Sequence, residues 1–455
     1  GADCGFLFVR RKHHALALAL AGASAGAQAL DLIDVWQAAR EHDAAYASAR
    51  ASWEAGQEKT IQGRAPLLPQ LNASGDYTRN KAERPAGIGR YRSASAGLQL
   101  TQTLFDWSRF AALEQGRQAT LIADDQFKNA EQELILRTAQ AYFDVLLAED
   151  TLEFTRAAKD AYAKQLEQAK KSFDVGSATI TDTYEAQASY DSAVASELAA
   201  LNDLEVKRNK LALQTGVSAN RLDPLKAKVP LELPSPDSAD SWVRQAEDGS
   251  YALAIRRKQL IVAGKQVDIS RSGHLPTVSL VAGYNDRTST QLASVDTRGG
   301  SVGVQVTLPI FSGGLAQSKV REARALEEQA RQDLEDARRQ VEQATRTAYL
   351  GVTSGAAQVT AREQVLASSK SQLDATRLGR EVGVRTSVDL LNAERKVYES
   401  RRDLAQARYQ YLMARLQLAA AVGQLDRKVL EGVNQLLQAR QSTALASTQP
   451  KPNKQ

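Results

Sequence analysis

Few residues in this chain could perform covalent or metal chemistry. It has one cysteine and four histidines in 455 residues. Cys4, His13 and His14 fall within the first 29 positions, and His42 and His274 stand in different segments without ligand-like spacing. No nucleophile–base pair, phosphate loop or metal cluster can be assembled from this set, so neither an enzyme nor a cofactor is expected. The groups that remain are electrostatic. Thr181 and Asp182 follow a Val175-Gly176 pair, and Asp389 follows Val382-Gly383 at the same interval as Asp182 follows Val175. Glycine at such a place suits the left-handed turn of a helical hairpin, and Thr181 with Asp182 suits capping of a return helix.

These groups recur because the chain is duplicated. Leu68-Pro69 is matched by Leu275-Pro276, Tyr77 by Tyr284, Asp182 by Asp389 and Gly216 by Gly423, each pair separated by the same 207 positions (Tyr77 to Tyr284, for example). Phe105 and Phe311 are 206 apart, one residue of slippage. Such a period implies two equivalent units. Each reads as a helix, two strands and a long helical hairpin. In the first, a helix from Asp31 to about Arg64 is ended by Pro66 and Pro69. A strand from Leu71 to Arg79, a polar connection with Pro85, Gly87 and Gly89, and a strand from about Ser93 to Leu104 follow. Asp106 is expected to cap the long helix, as Ser312 does in the second unit. That helix runs without proline to about Phe173, on the order of 100 Å at ~1.5 Å per residue. The return helix is expected from about Asp182 to Thr215.

The units divide the chain as follows. Residues 1–29 read as a secretory signal, with basic Arg10, Arg11 and Lys12, an apolar run from Ala15 to Ala25, and a small-residue cleavage site at Ala27-Gln28-Ala29. The first repeat spans 30–217. The connector 218–240 carries Pro224, Pro230, Pro234 and Pro236 and cannot be one long helix. The second repeat spans 241–424, and 425–455 is a C-terminal segment whose polar tail from Gln441 is expected to be disordered.

Aromatics make up only 6% of the chain against 43% hydrophobic residues, which suits long, closely packed helices. Tyr162, Leu166, Ala169 and Phe173, and again Ala407, Tyr411, Ala414, Leu418 and Ala421, step by three and four as coiled-coil seams do. Lys and Arg are interleaved with Asp and Glu, the pattern of solvated helix faces rather than of a nucleic-acid surface. In the strands, Ala96, Leu98, Leu100 and Leu104 share one face and Gly97, Gln99, Thr101 and Thr103 the other; Val302, Val304, Val306 and Leu308 likewise oppose Ser301, Gly303, Gln305 and Thr307. Alternation fits a soluble sheet with one buried face or a membrane barrel with its apolar face outward. The signal segment and the lack of any other substantial apolar layer favour the barrel. Four strands cannot close, since about eight is the practical minimum, and open edges in lipid are forbidden. Several copies must therefore share one wall.

The segments Ala65-Pro66-Leu67-Leu68-Pro69-Gln70-Leu71, Leu98-Gln99-Leu100-Thr101-Gln102 with Leu104-Phe105-Asp106, Ile180-Thr181-Asp182, Gly273-His274-Leu275-Pro276, and Val382-Gly383-Val384-Arg385-Thr386 with Val388-Asp389 resemble the TolC family of outer-membrane efflux and secretion ducts. The resemblance covers about Leu30 to Gln435. It implies an α+β membrane protein: a homotrimer with one twelve-stranded outer-membrane β-barrel continuing into a long, hollow periplasmic α-helical barrel of coiled-coil hairpins. The segment from 425 would lie at its equator. Outer-membrane lipid would surround the strands. At the lower end, Val175, Gly176, Val382 and Gly383 would meet a periplasmic adaptor and an inner-membrane transporter, which supplies the energy for drugs or a secreted protein to leave. The family's lipid-anchored branch fits less well, because no cysteine directly follows the apolar run.

The resemblance also implies a gate. Residues at the Thr181, Asp182 and Arg385 positions link neighbouring hairpins, and an Asp–Arg pair at a packed tip is worth ~1 kcal/mol or more, repeated by symmetry. Arg380 replaces a family tyrosine and would pair with Asp182 or repel Arg385. Asp389 would form an acidic constriction ring, with Asn392 in place of a second one. Crowded carboxylates focus a negative potential and raise one another's pKa. The competing reading is a periplasmic trimeric coiled-coil structural protein with a small outer-membrane anchor, which would need neither two hairpin tips nor strands paired at matching places.

Overall fold

The computed structural model describes residues 29–84, 87–218, 221–290 and 295–438. The expected signal segment and the tail from Gln441 lie outside the described residues, apart from Ala29. Helices α1 (Leu32–His42) and α2 (Ala44–Arg64) lead into strands β1 (Gln70–Arg84) and β2 (Gly87–Phe105), then the long helix α3 (Trp107–Asp174) and its return α4 (Ile180–Thr215). The second half repeats this order: α5 (Ala239–Gly249), α6 (Tyr251–Ser272), β3 (Thr277–Ser289), β4 (Val295–Thr307), α7 (Leu315–Glu381) and α8 (Ser387–Ala421), closed by α9 (Arg427–Asn434).

Several boundaries differ from those the sequence suggested. The first helix is two, because Asp43 leaves the helical conformation (ψ 116) and its carboxylate caps α2 by accepting from Tyr46 N–H at 2.7 Å. The first hairpin is longer at its far end, pairing rung by rung up to Arg84 opposite Gly87, so Gly87 and Gly89 belong to a strand. Backbone pairing continues there after hydrophobic alternation stops, since the ladder itself satisfies the peptide groups. Asp106 caps α3, accepting from Ser108 N–H at 3.0 Å. At the equivalent place the cap is Gly314 (φ +85), and Ser312 is left with a long bond of 3.4 Å from Ala316 N–H.

The four strands form one antiparallel sheet in the order β1-β2-β3-β4, with a register shift between Thr103 and Phe105. Its apolar face is uncovered: Leu71, Leu98, Tyr284, Val302, Val304 and Val306 are all exposed. Among the described residues no helix is long and apolar enough to cross a membrane. The core lies instead at mid-length of the helices. There Tyr142, Phe143, Leu146, Tyr411, Leu412 and Leu416 are fully buried beneath α1, α9 and the connector. The buried Tyr142 hydroxyl donates to the carbonyls of Asp223 (2.8 Å) and Leu30 (3.2 Å), so the connector is pinned to the long helix rather than merely resting on it. Beyond this girdle the two hairpins, α3–α4 and α7–α8, run on to a pair of free tips.

Candidate functional site

Both tips are built alike. Gly176 (φ +75) and Gly383 (φ +78) take the left-handed conformation, and a Cβ at either would meet nothing within 4 Å. Backbone geometry, not space, requires glycine there. The chain turn is closed in each by one equivalent bond of 2.8 Å, Ser177 N–H to Ser172 carbonyl and Val384 N–H to Gly379 carbonyl. Val175, Val382 and Val384 are left exposed at the ends.

Each return helix starts in a capping box. Thr179 and Thr386 are the N-caps, accepting from the N–H groups of Asp182 (3.2 Å) and Asp389 (3.1 Å), whose carboxylates accept in return from the Thr179 (2.9 Å) and Thr386 (3.0 Å) N–H groups. Thr181 is therefore not a cap; it lies exposed within the first turn of α4, and Asp182 serves as the reciprocal partner. Thr179 keeps extended dihedrals (ψ 158) directly before the helix begins at Ile180, a distinction that residue type alone did not supply. The Thr179 hydroxyl and N–H hold the Asp182 carboxyl below its ordinary value of 3.8, with Arg380 adding a smaller pull in the same direction. For Asp389 the Thr386 N–H leads, followed by its hydroxyl, and Arg385 contributes. Within one chain this is opposite to the rise that crowding of like charges would cause.

The cations sit on the second hairpin. Arg380 reaches across to the first, donating to Gln168 Oε1 on α3 at 3.5 Å, and it forms no ion pair with Asp182 among the described residues. Arg385 folds back over Gly379, where a Cβ would stand 2.8 Å from its Cγ, and its N–H donates to the Gly379 carbonyl at 3.1 Å. Asn392 is exposed and accepts from Arg395 Nη2 at 3.0 Å.

Sequence reasoning missed the best-buried charge near the tips. Glu394 is 4% exposed and accepts from Gln165 Nε2 on α3 and from Arg377 Nη2 on α7 at 3.1 Å. One carboxylate thus ties three helices together across both hairpins. Nearby, the Tyr398 hydroxyl donates to the Ala157 carbonyl at 3.3 Å. A groove of about 550 Å³ runs alongside, lined by Gln165, Gln168, Arg377, Arg380 and Glu394. A signal existed: Leu391, Glu394 and Tyr398 step by three and four, which places a carboxylate in a packing seam. The directional bonds of this arrangement can hold two hairpins in one relative position.

A family model described as outer membrane efflux protein matches residues 35–217 and 242–424. The chain is 34% identical over 455 residues to outer membrane protein TolC of Escherichia coli, covering 97% of this chain and 92% of that one. It is 33% identical over 419 residues to the alkaline protease secretion protein AprF of Pseudomonas aeruginosa, covering 89% and 86%. Among solved structures, the outer membrane protein VceC of Vibrio cholerae superposes with a TM-score of 0.74 at 20% identity, covering 86% of this chain and 96% of that one, a likeness of fold.

Proposed function

Because this chain belongs to the outer membrane efflux protein family, the family of TolC, we propose that three copies of it close one barrel and one duct, gated at the helical tips. The protein is an outer-membrane exit duct of the efflux and type I secretion class, and its family is one of channels rather than enzymes. The observation that carries the reading is the sheet. It has an uncovered apolar face and two unpaired edges, β1 and β4, in a chain without a membrane-spanning helix among its described residues. Apolar face and open edges are both satisfied if β1 of one copy pairs with β4 of the next, giving twelve strands from three chains. The repeats 30–217 and 241–424 then each supply one sixth of the wall and one helical hairpin to a periplasmic cylinder, with the connector 218–240 and the segment from 425 as its belt.

At the lower end, Val175, Gly176, Val382 and Gly383 form the surface for a periplasmic adaptor, which couples the duct to an inner-membrane transporter. Asp182, Thr181, Arg380 and Arg385 hold neighbouring hairpins closed, and Asp389 lines the constriction with Asn392 one turn above. Three Asp389 carboxylates make the entrance cation-selective. Native mass spectrometry and planar-bilayer recording test the whole arrangement together. Trimers with a cation-selective conductance that a trivalent cation blocks from the tip side are expected, and Asp389→Ala should abolish the block while Asn392→Asp strengthens it. Mainly monomeric or dimeric protein, or a block untouched by Asp389→Ala, would overturn it. A scaffold without a channel would assemble and give no conductance.

A further inference from the structure

The apolar face of the sheet ends in a ladder of cations. On that face Tyr77 stands opposite Ala94, and the next two rungs are Arg79 opposite Arg92 and Lys81 opposite Arg90. Like charges directly opposite across antiparallel strands destabilise the pairing. Here two such rungs are stacked where β3 has already ended: Ser93 is the last β2 residue in its register, and beyond it Thr290 bonds to the Arg92 main chain. Among the described residues no ion pair neutralises these four cations. The only ion pair on this face among the described residues is Arg298 with Asp286 at 3.0 Å, and Asp296 stands two strands away from Arg92. Arg79 instead lies over the Tyr77 ring, its carbon 5.9 Å from the centroid, and donates to the Tyr77 hydroxyl at 3.3 Å.

Height identifies what these cations face. From Phe105 at the helix end of β2 to Arg92, a strand rising ~3.3 Å per residue at a tilt of ~40° climbs roughly 30 Å along the barrel axis. The apolar band of an outer-membrane barrel is about 25 Å tall and is bordered by aromatic girdles. Tyr77 and Tyr284 mark that border on this face, and Phe105 and Trp107 the opposite one. Arg79, Lys81, Arg90 and Arg92 are then at headgroup depth on the lipid side, on the end of the barrel away from the helices. We infer that these four residues form a binding surface for phosphate-bearing headgroups of the outer-leaflet lipid. Arginine binds phosphate bidentately and lysine as a point charge, so three arginines and one lysine supply both directional and diffuse attraction. The anion also relieves the repulsion built into the two rungs.

The inference rests on the membrane-barrel reading, and the test separates the two. The intact assembly would be placed in nanodiscs doped with a bis-phosphorylated glycolipid or its dephosphorylated form, and lipid retained on the protein counted by native mass spectrometry. Wild type should retain the phosphorylated lipid at least tenfold over the dephosphorylated one, a contrast that needs no variant. The fourfold variant Arg79→Gln, Lys81→Gln, Arg90→Gln, Arg92→Gln should lose that preference. Arg287→Gln, which removes a charge from the opposite face of the sheet, should keep it. Inorganic phosphate at millimolar concentration should not displace the lipid. Equal retention of both lipids, a fourfold variant that still discriminates, an Arg287→Gln loss as large, or displacement by free phosphate would each overturn the proposal. Pore formation by the same preparations distinguishes the readings: pores without lipid preference sink this inference alone, whereas no pores at all sink both.

Discussion

The two hairpin tips have one backbone and two different electrical characters. Both turn on a left-handed glycine and both start the return helix with Thr and Asp in a capping box. Yet the position held by Arg385 in the second tip is Ala178 in the first, that of Arg380 is Phe173, and that of buried Glu394 is Gln187. Gln187 is half-buried and bonds to Asp191 on its own helix, while Glu394 bonds to two other helices. Duplication has thus kept the local geometry and separated the duties. Within one chain, Arg380 and Glu394 of the second hairpin bond across to the first.

The sharpest way to break this contrast is at Glu394. Removing a buried carboxylate that satisfies Gln165 and Arg377 should cost ~2–3 kcal/mol, while Gln187→Ala should stay within ~0.5 kcal/mol. Thermal melts of the two variants in detergent would check this, and equal losses would mean that Glu394 is no more than a solvated residue. Next come the glycines. Gly176→Ala and Gly383→Ala should each cost about 1–2 kcal/mol, and by the same amount, because only backbone strain is involved. Unequal costs would show that the tips are not equivalent in backbone. Arg385→Ala should alter stability by less than ~1 kcal/mol, given an exposed side chain, but should raise single-channel conductance and open time. Ala178→Arg, at the matching position, should leave conductance alone. A silent Arg385→Ala would shift the closing role to Arg380 or to Glu394.

The smallest effect is the response to acid. Asp182 and Asp389 both have folded-state pKa values lowered below 3.8 by their capping boxes. A lowered value contributes stability that is present above the unfolded pKa and is lost as pH falls through the folded one. Both caps should therefore remain intact down to about pH 4, and cation selectivity with them. Carboxyl titration by NMR, or the reversal potential across a salt gradient, would follow this. A selectivity that fades near pH 6 would show that crowding of Asp389 carboxylates in the assembly overrides the cap, and Asp182 would then titrate well below it.

Much of this was legible in the chain because it depends on short-range physics. A period of 207 positions, glycines at hairpin turns, strand alternation and the absence of proline over α3 are properties of neighbours in sequence, and they suffice to order the elements. The strand count also led to the expectation of more than one copy, since four strands cannot close a barrel. Residue type also announced Asp182 and Asp389 but not which residue caps the helix: the cap went to Thr179, because capping depends on which residue keeps extended dihedrals directly before the first turn. The break at Asp43 and the extension of β1 to Arg84 are closed by partners only three residues away, Tyr46 and Gly87, yet residue type did not announce them. The burial of Glu394 was decided by tertiary structure, through a partner far away in sequence, Gln165, 229 positions off. A periodic seam says that a residue is inside; only the packed helices say what stands opposite it, and for a charge that partner decides whether burial costs stability or adds to it.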